Sequence, residues 1–106
     1  MPMPELKLSD PLVVRRLIQE RAYIGDQTSE EAICLYASLD QLIPDAGLSE
    51  REKSTVKLLM DGYRMVDIAV LWRCDRRTVD VHLTRAVRKI CAREYFLLQF
   101  VPEWGM

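Results

Sequence analysis

Between Met65 and Ile90 the apolar side chains fall into two helical stripes separated by only a three-residue break. Met65, Ile68, Ala69 and Trp72 recur at steps of three and four, as one face of a helix requires. Beyond Arg73-Cys74-Asp75, the residues Val79, Leu83, Ala86, Val87 and Ile90 do the same. A break this short ties the two helices together where they cross. A small side chain must sit at the crossing, and Ala69 fills that role. Ile68, Trp72, Cys74 and Val79 supply apolar contacts that fix the angle. Asp75 suits the cap of the second helix, because its carboxylate can accept from an amide of the first turn.

The rest of the chain carries similar punctuation. Asp10-Pro11 reads as a helix start, since Asp can cap and Pro suits the first helical position. Val14, Leu17, Ile18 and Ala22 then follow at helical spacing, and Gly25-Asp26-Gln27 reads as a turn. Thr28-x-x-Glu31 and Ser49-x-x-Glu52 are two capping boxes. The first opens a stripe of Ala32, Leu35, Tyr36, Leu39, Leu42 and Ile43 that stops in Pro44-Asp45-Ala46-Gly47. The second opens a helix that turns Val56, Leu59 and Met60 inward and ends at Gly62. Residues 95–101 are apolar nearly all round, and they either continue the fifth helix or form a sixth. The fold class expected is all-α, a compact bundle of five to six helices. Its domain plan is an N-terminal helical segment over residues 1–47, a two-helix motif region over 48–93 and an apolar extension over 94–106.

Composition narrows the class further. A hydrophobic share of 49% in 106 residues supports one packed domain. No apolar run approaches the length of a membrane span, and the start of the chain lacks the basic and apolar regions of a secretory leader. A cytoplasmic location follows as the default, with no membrane partner. Cys34, Cys74 and Cys91 are odd in number and fit no common zinc spacing. They are expected to be buried reduced thiols, and His82, the single histidine, to pack rather than to ligate. Neither a metal nor a cofactor is expected. No nucleophile arrangement, phosphate-binding glycine loop or carboxylate pair stands out, so an enzyme is not expected.

Charge is unevenly distributed. Residues 1–61 hold 7 basic and 11 acidic groups, whereas residues 62–93 hold 8 basic groups against Asp67, Asp75 and Asp80. A local excess of positive charge on a helix held out by a brace is what entry into a DNA major groove needs. The candidate contact residues are Arg76, Arg77, Thr78, Asp80, Val81, Thr84, Arg85 and Arg88. Arg76 and Arg77 open the reading helix and are the first choice. Arg88, Lys89 and Arg93 lie toward its other end, where charges are more often simply solvated. Trp72, Tyr36 and Tyr63 are expected in the core. Phe96, Phe100 and Trp104 are expected to cover it rather than to form an exposed stripe.

Leu48-Ser49-Glu50-Arg51-Glu52, Leu58 to Gly62, Asp67-Ile68-Ala69, Arg77-Thr78-Val79 and His82 together resemble the LuxR-type helix-turn-helix, without gaps from Leu48 to Ile90. Thr84 to Ile90 is equally similar to region four of bacterial sigma factors, which shares the four-helix plan. The resemblance implies duplex-DNA binding in transcription. Three residues or features depart from it. Arg73 stands where the family usually has glycine, which predicts a strained, looser turn. Asp80 puts a negative charge on the reading face, where it could pair with Arg76 or Arg77 or accept from a cytosine amine. The 47 residues ahead of Leu48 are too few for the receiver or ligand domain usual in such regulators.

Two functions follow. One is a sequence-specific DNA-binding transcription regulator, of phage or mobile-element type, that could also touch RNA polymerase; its apolar C-terminal segment is expected either to pack on the helices at 11–43 or to form a homodimer contact. The other is a protein-interaction module that binds polymerase or a sigma factor and has lost DNA binding. A DNA-packaging subunit is a weaker third.

Overall fold

The computed structural model describes residues 8–23 and 30–99. It contains five α-helices: α1 (Pro11–Glu20), α2 (Glu30–Asp45), α3 (Glu50–Met60), α4 (Met65–Trp72) and α5 (Arg76–Gln99), with a 3₁₀ turn (Arg21–Tyr23) after α1. Among the described residues there is no strand. The turn at Gly25 to Gln27, the box opened by Thr28, Phe100 and Trp104 lie outside the described residues.

The helix boundaries follow local chemistry. The Asp10 carboxylate accepts from the Leu12 amide at 3.0 Å, with Pro11 at the first helical position. Ser49 and Glu52 form a reciprocal box: the Glu52 amide donates to the Ser49 hydroxyl at 3.3 Å, and the Ser49 amide donates to the Glu52 carboxylate at 3.1 Å. Two amides at the start of α3 are thereby satisfied. α3 closes at Gly62, where φ is 105° and an added Cβ would come within 3.3 Å of the Ala22 side chain. Glycine is therefore required twice at this turn, for its backbone angle and for the close passage of the segment after α1. α2 runs through Pro44 and closes at Asp45. Proline lacks the amide hydrogen that would continue the ladder, and the helix ends one residue after it.

α5 is the spine of the molecule. It packs against α1, α2, α3 and α4. Val79, Leu83, Ala86, Val87, Ile90 and Cys91 of α5 are buried, as the stripe in the sequence requires. They meet Val14 and Ile18 of α1, Leu39 and Leu42 of α2, Val56 and Leu59 of α3, and Ile68 and Ala69 of α4 in one apolar cluster. Burial of each large aliphatic side chain contributes about 1.5–3 kcal/mol against chain entropy.

Polar ties between helices supplement the apolar core, two of them made by α3. The Lys89 ammonium donates to the buried Glu52 carboxylate at 2.5 and 3.2 Å. The Arg51 guanidinium lies 4.6 Å from the centre of the Trp72 ring, linking α3 to α4.

Residues 95–99 continue α5, one of the two arrangements expected for them. Several other expectations are corrected. Tyr63 is 50% exposed, because the turn after Gly62 carries it past the edge of the core. Cys34 is exposed on the outer face of α2, while Cys74 is half-buried and Cys91 buried. Lys89 is held by Glu52 rather than merely solvated. Phe96 is 51% exposed and stacked under Arg93, not laid over the core, because α5 has already run past the other helices.

Candidate nucleic-acid interface

The turn between α4 and α5 decides how the second helix is presented. Arg73 has φ 53° and ψ 45°, left-handed backbone for a residue that has a Cβ. The Arg73 amide donates to the Val70 carbonyl at 3.2 Å, and the Cys74 amide to the Ala69 carbonyl at 3.0 Å. This pair of bonds is the Schellman closure. The turn is therefore not looser for lacking glycine: both bonds form, and the cost is carried in the Arg73 backbone. The same closure ends α3, where the Gly62 amide bonds Leu59 and the Tyr63 amide bonds Leu58.

The start of α4 is fixed by Asp67, whose carboxylate accepts from the Arg64 amide at 3.0 Å and from the Arg64 guanidinium at 3.3 Å. The backbone amide and then the side chain of Arg64 hold this carboxyl below its ordinary value. At the start of α5, Asp75 accepts from the Arg77 amide at 3.0 Å. Trp72 and His82 meet edge to face, with centroids 6.3 Å apart, and His82 is half-buried. Two short-range caps, one closed turn and one aromatic contact thus hold α5 rigidly against α4.

The eight candidate residues divide into three groups. Arg77, Val81, Arg85 and Arg88 are exposed and fall on the side of α5 opposite Val79, Leu83, Ala86 and Ile90. Among the described residues none of these three arginines enters an ion pair. Arg76 and Thr78 are exposed on the first turn. Arg76 faces back toward the cleft formed by Gln19, Leu59, Tyr63, Arg64, Met65 and Val66. Asp80 and Thr84 are half-buried on the flank that faces α1.

That flank was not foreseen. Arg15 of α1 donates to the Asp80 carboxylate and, at 3.3 Å, to the Thr84 hydroxyl. Asp80 is thus paired neither with Arg76 nor with Arg77, because α1 brings a nearer cation to the flank. The partners are 65 and 69 residues apart in sequence, so no local pattern announces them. Arg15, Met65, Arg76, Arg77 and Asp80 line one cleft.

The described residues contain no group of three His, Cys, Asp or Glu side chains that could hold a metal ion, and Cys34, Cys74 and Cys91 are free thiols. Burial and the nearby Asp10 carboxylate push the Cys91 thiol up to about 11, which leaves it inert at neutral pH. No helix among the described residues is long and apolar enough to cross a membrane.

Residues 46–95 match the family model of bacterial regulatory proteins of the luxR family. No curated protein and no solved structure matches the chain. The matched segment spans α3, α4, the closed turn and α5 down to Tyr95, while α1 and the whole of α2 lie ahead of it. The geometry of the turn, the buried stripe of α5 and this match agree: residues 46–95 form a helix-turn-helix domain similar to that of the luxR family.

Proposed function

We propose that the chain is a duplex-DNA-binding transcription regulator that inserts the first half of α5 into the major groove. The observation that carries this reading is the outward stripe of Arg77, Val81, Arg85 and Arg88, opposite the buried stripe of the same helix. A major groove admits one helix, and arginines there meet guanine edges or phosphates. Thr78 can reach a phosphate or base edge from the first turn, and Arg76 a phosphate at the side of the groove. Binding to a random duplex is expected to be tight at low salt and to weaken linearly on a log–log plot against salt. Replacing Arg76 and Arg77 together with Ala should leave the helical spectrum unchanged, since both are exposed, and should lower affinity by at least tenfold, as an arginine that reads guanine contributes about 1–3 kcal/mol. A folded double variant that binds like the wild type would reject α5 as the reading helix.

A second reading is supported by a different face. Val66, Val70 and Leu71 of α4 are exposed, Val70 to 79%. Apolar groups arranged this way suit a protein surface, such as RNA polymerase or a sigma factor, in addition to DNA or in its place. If Val70→Glu abolishes activation while DNA affinity stays constant, the two contacts coexist on one molecule.

A further inference from the structure

We infer that α1, which lies ahead of the family segment, completes the DNA-facing surface, and that Arg15 is a positioning residue that keeps Asp80 from opposing it. The inference rests on the DNA-binding reading above.

Asp80 sits in the second turn of the reading helix, where a bare carboxylate would repel phosphates on either side of the groove. It also lies in the same cleft as Arg76 and Arg77. Left alone, it would draw one of these arginines onto the protein surface, in the i,i+3 or i,i+4 geometry that helices favour. Arg15 prevents both effects. Its guanidinium pairs with the Asp80 carboxylate and donates a further bond to Thr84. Arg76 and Arg77 remain outside any ion pair among the described residues.

α1 is well placed to hold this arginine. Val14 and Ile18, on either side of it, are fully buried, so Arg15 is carried on a packed helix. α1 runs antiparallel along α5: Asp10 lies near Cys91, Arg15 meets Asp80 and Thr84, and Gln19 shares a cleft with Arg76. At the far end the 3₁₀ turn that follows α1 packs against α3. Arg15 therefore needs no ordering when DNA arrives, and the cleft it shares with Arg76, Arg77 and Asp80 keeps a positive balance.

The test is a double-variant cycle read by fluorescence anisotropy on a labelled duplex across a range of salt concentrations, with thermal melts of every variant. Arg15→Gln is expected to weaken binding roughly five- to tenfold and to lower the salt slope by about one unit, as one arginine is recaptured by Asp80. Arg15→Lys, which keeps the charge, should bind like the wild type. Asp80→Asn should bind as tightly or more tightly. Combining Arg15→Gln with Asp80→Asn should restore the affinity of Asp80→Asn alone, since nothing remains to be neutralised. If the combined variant is folded but as weak as Arg15→Gln, Arg15 touches phosphate itself and its positioning role toward Asp80 is overturned. It is equally overturned if Arg15→Gln binds like the wild type while the Arg76/Arg77 double variant does not, an outcome that leaves the DNA reading intact. If the wild type itself shows no salt-sensitive binding, the DNA reading fails and the role of Arg15 falls with it.

Discussion

Arg73 shows how a single position can record a conflict between local preference and tertiary demand. Its backbone is left-handed, which costs a residue with a Cβ about 1–2 kcal/mol. The turn nevertheless closes with both of its bonds, and Ala69 before it and Val79 after it are both buried in the shared core. Replacing Arg73 with Gly removes the strain but adds freedom to the unfolded chain, which offsets part of the gain. A net stabilisation of about 0.5–1 kcal/mol is expected, seen as a rise in Tm of a few degrees in a thermal melt. A fall in Tm would mean that the Arg73 side chain holds something the backbone argument omits. DNA affinity should fall slightly with the lost charge, so stability and binding should move in opposite directions. The departure of Arg73 from glycine was legible in the sequence; that the turn closes fully was not, because closure is enforced by residues packed around it.

At the scale of the elements, helix starts and buried stripes were legible because their causes are local. The caps at Asp10, Ser49 and Asp75 and the stripe from Val79 to Ile90 lie within one helix each. The ties between helices were not, since Arg15–Asp80, Arg51–Trp72 and Glu52–Lys89 join distant positions. Glu52–Lys89 fastens α3 to the reading helix and has a pH signature. Burial raises the Glu52 carboxyl, but the Lys89 and Ser49 hydrogen bonds and the Lys89 charge more than reverse this, leaving it below its ordinary value of 4.5. A carboxyl lowered in the folded state contributes stability that is present above its unfolded pKa and is lost as pH falls through the folded one. Glu52→Gln keeps the capping geometry and removes the charge. It should cost about 1 kcal/mol at pH 7 and progressively less below pH 4.5, vanishing once the folded wild-type carboxyl is protonated. Urea midpoints of the two proteins at pH 7, 4 and 3 check this. A difference that stays constant across that range would assign the loss to packing instead of charge.

Across the whole molecule, α5 is longer than the core it serves. Its buried positions end at Cys91 among the described residues, while the helix continues to Gln99. Tyr95 is 60% and Leu97 43% exposed on this projecting part. A helix that is apolar nearly all round calls for cover. We expect a second copy of the chain to provide it, through a two-fold contact in which each projecting end lies against its mate. The reading helices would then address half-sites about one DNA turn, roughly 34 Å, apart. Because the projecting end lies beyond the core, Tyr95→Glu together with Leu97→Glu should leave the melting of the monomer unchanged. The variant should sediment as a monomer where the wild type sediments as a dimer, and its advantage for a palindromic over a single half-site should disappear. A wild type that stays monomeric at tens of micromolar and shows no preference for paired half-sites would remove the dimer from the account. The projecting end would then need a partner other than a second copy.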